Sequence, residues 1–271
     1  MYSNDMLGLT AEPFETVKAN GYHIRGREIY SPLQDKQIPV IIAHGFTADM
    51  TRPERFAVPL ARLGYHCFVF DFCGGGFHTI SDGSFHDYMT CMTEVEDLQT
   101  VIDWLRIEKS TEVDIGHLYV AGGSQGGFVA SMTAADPAYR DKIFGLILYY
   151  PALCIPDDAR KGSMQVIRFD PKNIPDHIGE GPMRLCGDYA RTVIDYDPYE
   201  YIGDYPGPVL LLHGDKDTVV PVSYSDRAKK VYGDHCLYYV LDGADHGFTK
   251  ETDLKKAIEY TDSFIKKENR L

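Results

Sequence analysis

Residues 117–135 read HLYVAGGSQGGFVASMTAA, and the fold turns on how this stretch is read. Leu118, Tyr119, Val120 and Ala121 form an apolar run of the length expected for a short buried strand. Phe128, Val129 and Met132, with the small residues Ala130, Ala134 and Ala135, suit a helix packed closely on a sheet. Between them lies Gly122-Gly123-Ser124-Gln125-Gly126, a G-x-S-x-G sequence at a strand-to-helix junction. A Cβ at Gly122 or Gly126 is expected to collide with the neighbouring strand or helix. Such a turn holds a serine hydroxyl at the C-terminal end of the strand, above the free N–H groups of a helix N-terminus. With 25 glycines and 11 serines, random order would produce this motif in roughly one such chain in ten, so it needs partners elsewhere.

Outward from this stretch, strand and helix signals alternate. Residues 13–31 place β-prone runs on both sides of Asn20-Gly21, which predicts a hairpin or a pair of antiparallel edge strands. Strands are expected over Ile38 to His44, Tyr65 to Phe72, Phe144 to Tyr149, Val209 to His213 and Cys236 to Leu241. Helices are expected over Arg52 to Leu63, Glu94 to Ile107, Tyr224 to Tyr232 and Leu254 to Lys267. In the second of these, Val95, Leu98, Val101, Ile102 and Leu105 mark the apolar face. The glycine-rich loop Cys73 to Ser84 does not complete G-x-G-x-x-G and reads as a tight turn beside the site rather than a nucleotide cradle. This alternation implies an α/β fold with a mostly parallel central sheet flanked by helices. It breaks between residues 151 and 208, a stretch rich in Pro, Asp and Tyr but too apolar for a disordered linker. We read residues 1–150 and 209–271 as the core and 151–208 as a small inserted cap.

At 271 residues, 44% hydrophobic and 25% charged, the chain has the composition of an ordinary globular protein. No apolar run approaches the ~20 residues of a membrane span. The N-terminal MYSNDMLGLTAEPFE lacks a basic segment followed by an apolar one, so a secretory signal is not expected. The net charge of −13 argues against nucleic acid or an anionic membrane as partner, while a homodimer is compatible with it. Six scattered cysteines show neither C-x-x-C nor metal-ligand spacing. A reducing cytoplasm is therefore the expected compartment, with no metal site and no cofactor.

A nucleophilic serine needs a base to take its proton and an acid to orient that base. Both must come from loops at the same edge of the sheet. After strand 209–213 follows His213-Gly214-Asp215-Lys216-Asp217-Thr218-Val219-Val220-Pro221. After strand 236–241 follows Asp242-Gly243-Ala244-Asp245-His246-Gly247-Phe248, which makes His246 the candidate base. Asp215 and Asp217 compete for the acid, Asp217 being better spaced to reach the next loop. An oxyanion hole needs two main-chain donors, expected from the N–H of Gln125 and of Phe46 in the His44-Gly45-Phe46 loop.

Together, H-G-F-T at 44–47, G-x-S-x-G at 122–126, H-G-x-x-D-x-x-V-P at 213–221 and G-A-D-H-G-F at 243–248 resemble the α/β-hydrolase superfamily, from Ile38 to Ile265. Within it, the G-S-Q-G-G around the serine and the H-G-F-T are similar to bacterial feruloyl (cinnamoyl) esterases. That resemblance implies Asp217 as the acid. It also implies that Asp158, Gln165 and Tyr189 contact the phenolic end of a hydroxycinnamoyl group. Buried in an apolar pocket, such a hydroxyl needs polar partners. The chain departs from the family pattern at Gly123, where a His often precedes the serine, and at Cys73-Gly74-Gly75-Gly76-Phe77-His78, where a G-x-G turn is common. The resulting expectation is a serine carboxylester hydrolase for small hydroxycinnamate esters. A serine peptidase or short-acyl esterase of the same fold is the alternative, and a non-catalytic binding protein a third reading.

Overall fold

The computed structural model describes residues 6, 8–33 and 37–271. Residues 1–5 and 7, within the N-terminal stretch where no secretory signal is expected, lie outside the described residues. The chain begins with β1 (Thr10–Val17) and β2 (His23–Tyr30), then β3 (Pro39–Ala43), α1 (Glu54–Arg62), β4 (His66–Phe70) and α2 (Cys91–Glu108). The next elements are β5 (Tyr119–Gly123), α3 (Gln125–Ala135) and β6 (Gly145–Tyr149). Residues 151–208 carry α4 (Ile155–Lys161), the short strands β7 (Ser163–Met164), β8 (Ile167–Arg168), β9 (His177–Ile178) and β10 (Leu185–Cys186), and one turn of helix, α5 (Asp188–Arg191). The chain closes with β11 (Val209–Gly214), α6 (Ser223–Tyr232), β12 (Cys236–Leu241) and α7 (Glu251–Glu268).

Eight strands form one sheet in the order β1-β2-β4-β3-β5-β6-β11-β12. The β1–β2 hairpin pairs antiparallel, and β2 pairs antiparallel with β4. From β4 to β12 every pairing is parallel. Parallel strands are covered on both faces, which explains why the inner strands read as continuous apolar runs. Side chains alternate between the faces. Ile41, Phe68, Leu146 and Leu148 face the cluster that holds α2, α3 and α6. Val40, Ile42, Val69 and Ile147 face the cluster that holds α1 and α7. The connections leaving the adjacent strands β3 and β5 go to α1 and α3 on opposite faces of the sheet, so a crevice opens at the ends of these two strands. Ser124 and Phe46 follow those two strands.

Residues 151–208 do not build a separate core. Ile167, Ile178, Leu185, Tyr189, Val193 and Tyr205 belong to the same buried cluster as α2 and α3. The apolar face of α2 differs from the expected one: Glu94 and Asp97 are buried, while Val95 is only partly covered. The helix is rotated so that two carboxyl groups enter the interior, one paired with Lys18 at 2.5 Å and the other facing the active-site region. Among the described residues no helix is long and apolar enough to cross a membrane.

Candidate active site

The turn after β5 is strained as its sequence requires. Ser124 has φ 56° and ψ −122°, a left-handed backbone that side chains disfavour. A Cβ on Gly122 would stand 2.2 Å from the Gly126 carbonyl oxygen, and one on Gly126 would stand 2.4 Å from that of His44. The strain is held by main-chain bonds: Ser124 N–H donates to Tyr149 O at 3.0 Å, and Ala152 N–H donates to Ser124 O at 2.8 Å. Ser124 Oγ thus stands at the start of α3, above the end of the sheet.

Three side chains from three loops meet at this point. Ser124 Oγ lies 3.0 Å from His246 Nε2, and His246 Nδ1 lies 2.7 Å from Asp217 Oδ2. A carboxylate at Nδ1 fixes the proton there, so Nε2 accepts from the serine hydroxyl. The Asp217 side chain is fully covered by its surroundings, whereas that of His246 remains 21% exposed. Asp217 Oδ1 accepts from the N–H groups of Val219 and Val220, each at 2.8 Å. Burial opposes ionisation of Asp217, but hydrogen bonds from His213, His246 and the Val220 N–H outweigh it and hold the carboxyl well below its usual range. Asp215, the competing acid, instead accepts from the Gly243 N–H at 2.6 Å and ties the two loops together.

Two supports of this arrangement were not singled out from the sequence. His213 Nε2 lies 3.2 Å from Asp217 Oδ2 and 2.9 Å from Val220 O, so it donates toward both. Its Nδ1 accepts from Ser225 Oγ at 2.7 Å. Arg55 on α1 clamps the histidine loop, with Nη1 donating to Gly247 O at 2.9 Å and Nη2 to Phe248 O at 2.7 Å. His44 shapes the loop after β3: its Nε2 accepts from the Phe72 N–H at 3.1 Å, and its Nδ1 donates to Gly45 O at 2.9 Å. Burial lowers its pKa to about 4, so it stays a neutral spacer. The N–H groups of Phe46 and Gln125 have no hydrogen-bond partner among the described residues and flank the serine. Two such free donors are what an oxyanion would need.

Beneath the serine, the Gln125 side chain joins a buried polar chain. Its Nε2 donates to Glu94 Oε2 at 2.7 Å, and its Oε1 accepts from Tyr189 OH at 2.5 Å. Glu94 has no cation within ion-pair distance among the described residues, and its Oε1 has no hydrogen-bond partner there. Burial pushes this carboxyl well above its usual range, further than the Gln125 amide lowers it. Tyr189 spends its proton on Gln125 and offers only lone pairs to anything beside it. Asp158, Gln165 and Tyr189 line one narrow pocket with Ser124, whose walls include Ile155, Met164 and Ile167. Asp158 sits on α4, where burial raises its pKa. Gln165 occupies the β7–β8 turn at φ 53°. Six cysteines are buried and unpaired, and no cluster of His, Cys, Asp or Glu among the described residues has the geometry to hold a metal.

A mostly parallel sheet with a serine on the turn after its central strand defines an α/β-hydrolase. The family model for Hydrolase_4, described as serine aminopeptidase S33, matches residues 34–182, more than half of the chain, and the chain belongs to that hydrolase family. No curated protein matches it significantly. Among solved structures it is similar to Est1E from Butyrivibrio proteoclasticus, at 26% identity and TM-score 0.80, covering 96% of this chain and 99% of that one. It is also similar to the structure of ferulic acid bound to Est1E, at 28% identity and TM-score 0.79, covering 97% of each chain. The Pyrococcus furiosus esterase Pf2001 shares the fold at 20% identity and TM-score 0.71, covering 97% of this chain and 94% of that one. The chain is thus an α/β-hydrolase resembling feruloyl esterases.

Proposed function

We propose that this hydrolase is a serine carboxylester hydrolase that cleaves hydroxycinnamate esters through an acyl-enzyme. Ser124 attacks the ester carbonyl as His246, oriented by Asp217, takes its proton. The N–H groups of Phe46 and Gln125 receive the oxyanion, His246 returns the proton to the leaving alcohol, and water then releases the acid. Residues 151–208 act as the cap that selects the acyl group. The observation that carries the substrate assignment is the convergence of Asp158, Gln165 and Tyr189 on a pocket shared with Ser124. A planar aromatic acid entering there would meet apolar walls along its ring and polar groups at its hydroxyl. The ferulic acid in the Est1E structure supports the same class of ligand.

Steady-state hydrolysis of methyl ferulate, p-nitrophenyl acetate and an aminoacyl anilide tests the reading. Methyl ferulate is expected to be the best substrate, and Ser124→Ala to lower kcat on it by about 10⁴-fold or more. Wild-type turnover in the Ser124→Ala variant rejects the nucleophile. Faster cleavage of the anilide than of either ester favours a peptidase, the activity in the family's description.

A further inference from the structure

The crevice has a second arm, of about 250 Å³, lined beside Ser124 and His246 by Arg52, Phe56, Tyr150 and Gly247, and by Gln165, which it shares with the first pocket. The chemistry of ester cleavage assigns its side. The Ser124 Oγ–acyl bond forms, the acyl–oxygen bond of the substrate breaks, and His246 delivers the serine's proton to the departing alcohol oxygen. That alcohol must therefore lie on the histidine side of the serine, and the acyl group on the other.

Two polar groups face this arm without a protein partner. Arg52 stands just before α1, and its Nη2 reaches to 3.3 Å from where a Cβ on Gly247 would be, beside the candidate base. It is exposed and makes no ion pair among the described residues, in a chain whose net charge is −13. The Tyr150 hydroxyl likewise has no hydrogen-bond partner among the described residues. Its ring is fixed edge-on against His246 and Phe248, with centroids 4.8 Å from each. Burial pushes its pKa up to about 12; the guanidinium groups of Arg55 and Arg52 pull the other way and the carboxylates of Asp217 and Asp245 act with burial, so the hydroxyl keeps its proton. Gly123 makes room for this hydroxyl, since a Cβ there would lie 3.1 Å from it. Pro53 and Phe56, from the start of α1, stand on the same wall.

We propose that this arm binds the alcohol portion of the substrate and prefers alcohols that carry a carboxylate, the anion being held by the Arg52 guanidinium and the Tyr150 hydroxyl. The inference rests on the esterase reading but not on the identity of the acyl group. A planar guanidinium and a nearby O–H donor match the two oxygens of a carboxylate.

The test follows acetate release from 4-acetoxybenzoate and methyl 4-acetoxybenzoate, which share an acetyl group and differ in whether the leaving phenol bears a carboxylate. The ratio of their kcat/KM values is compared between wild type, Arg52→Gln and Arg52→Lys, so that intrinsic leaving-group reactivity cancels. The ratio should fall about tenfold in Arg52→Gln and recover in part in Arg52→Lys. In wild type it should also fall as salt is raised. The same ratio in wild type and Arg52→Gln overturns the proposal. If methyl ferulate is not hydrolysed while this ratio still depends on Arg52, the hydroxycinnamate assignment fails and the anionic-alcohol site stands.

Discussion

Asp217 shows how much of a site can rest on one carboxylate. It receives His246, His213 and two main-chain N–H groups, and its Oδ2 is shared between the two imidazoles. Replacing His213 with Gln should free Asp217 to reorient and lower kcat about tenfold on any ester, by an amount that exceeds the change in KM. An unchanged kcat would show that the second imidazole only fills space. Glu94 gives a prediction of opposite kind, about stability. Its folded carboxyl is raised by burial, whereas in the unfolded chain it ionises near pH ~4.3. The folded state therefore binds the extra proton above that pH, and stability falls as pH rises toward the folded value. Glu94→Gln should remove this loss, so its melting temperature should gain on wild type as the pH rises above about 5. A constant difference over that range would mean that Glu94 is not held as a neutral acid. Ser124 and the loops bearing Asp217 and His246 were legible in the sequence, because each sits where an apolar run ends in a Gly-rich turn. His213 and Glu94 were not. The first closes an apolar strand run and carries no mark of a second role, and the second falls on an α2 face that the apolar pattern places toward solvent. A carboxylate three residues after Cys91 and four before Leu98, inside the buried stripe, is the signal that would have exposed it.

At the scale of elements, the turn between β5 and α3 is the least forgiving piece of the molecule. Both Gly122 and Gly126 back onto main-chain oxygens that belong to neighbouring elements and cannot swing aside. Gly126→Ala should destabilise the fold by about 3 kcal/mol or more, or prevent its recovery, as read by denaturant unfolding. A loss below 1 kcal/mol would mean that β3 yields to the added methyl group. Helices and strands were placed well by period, and their ends less well. The start of α2 lies at Cys91, earlier than the apolar pattern indicated, because Thr90 and Thr93 cap each other at 2.9 and 3.0 Å. That exchange is a capping box with Thr in place of the usual Glu or Gln, so the common pattern does not flag it. The short strands of residues 151–208 were illegible for a simpler reason. Pairs of two residues leave no period to detect.

For the whole molecule, the sharing of one buried cluster by residues 151–208 and the sheet-covering helices argues for a single cooperative unit. Calorimetry should give one unfolding transition, and loss of Ser124–His246 geometry should coincide with loss of helix signal. Two separated transitions would show that residues 151–208 melt alone. The chain leaves the sheet after β6 and, past residues 151–208, re-enters at β11, its parallel neighbour, with Tyr149 opposite Leu212 and Leu146 opposite Val209. The path between these two anchor points can change length without shifting any strand register. Closing a loop twice as long costs only about 0.6 kcal/mol more. A passage of different length or sequence can therefore be carried between these strands without disturbing the sheet. The constraint is that the replacement keep the apolar footprint now made by Tyr189, Val193, Ile202 and Tyr205.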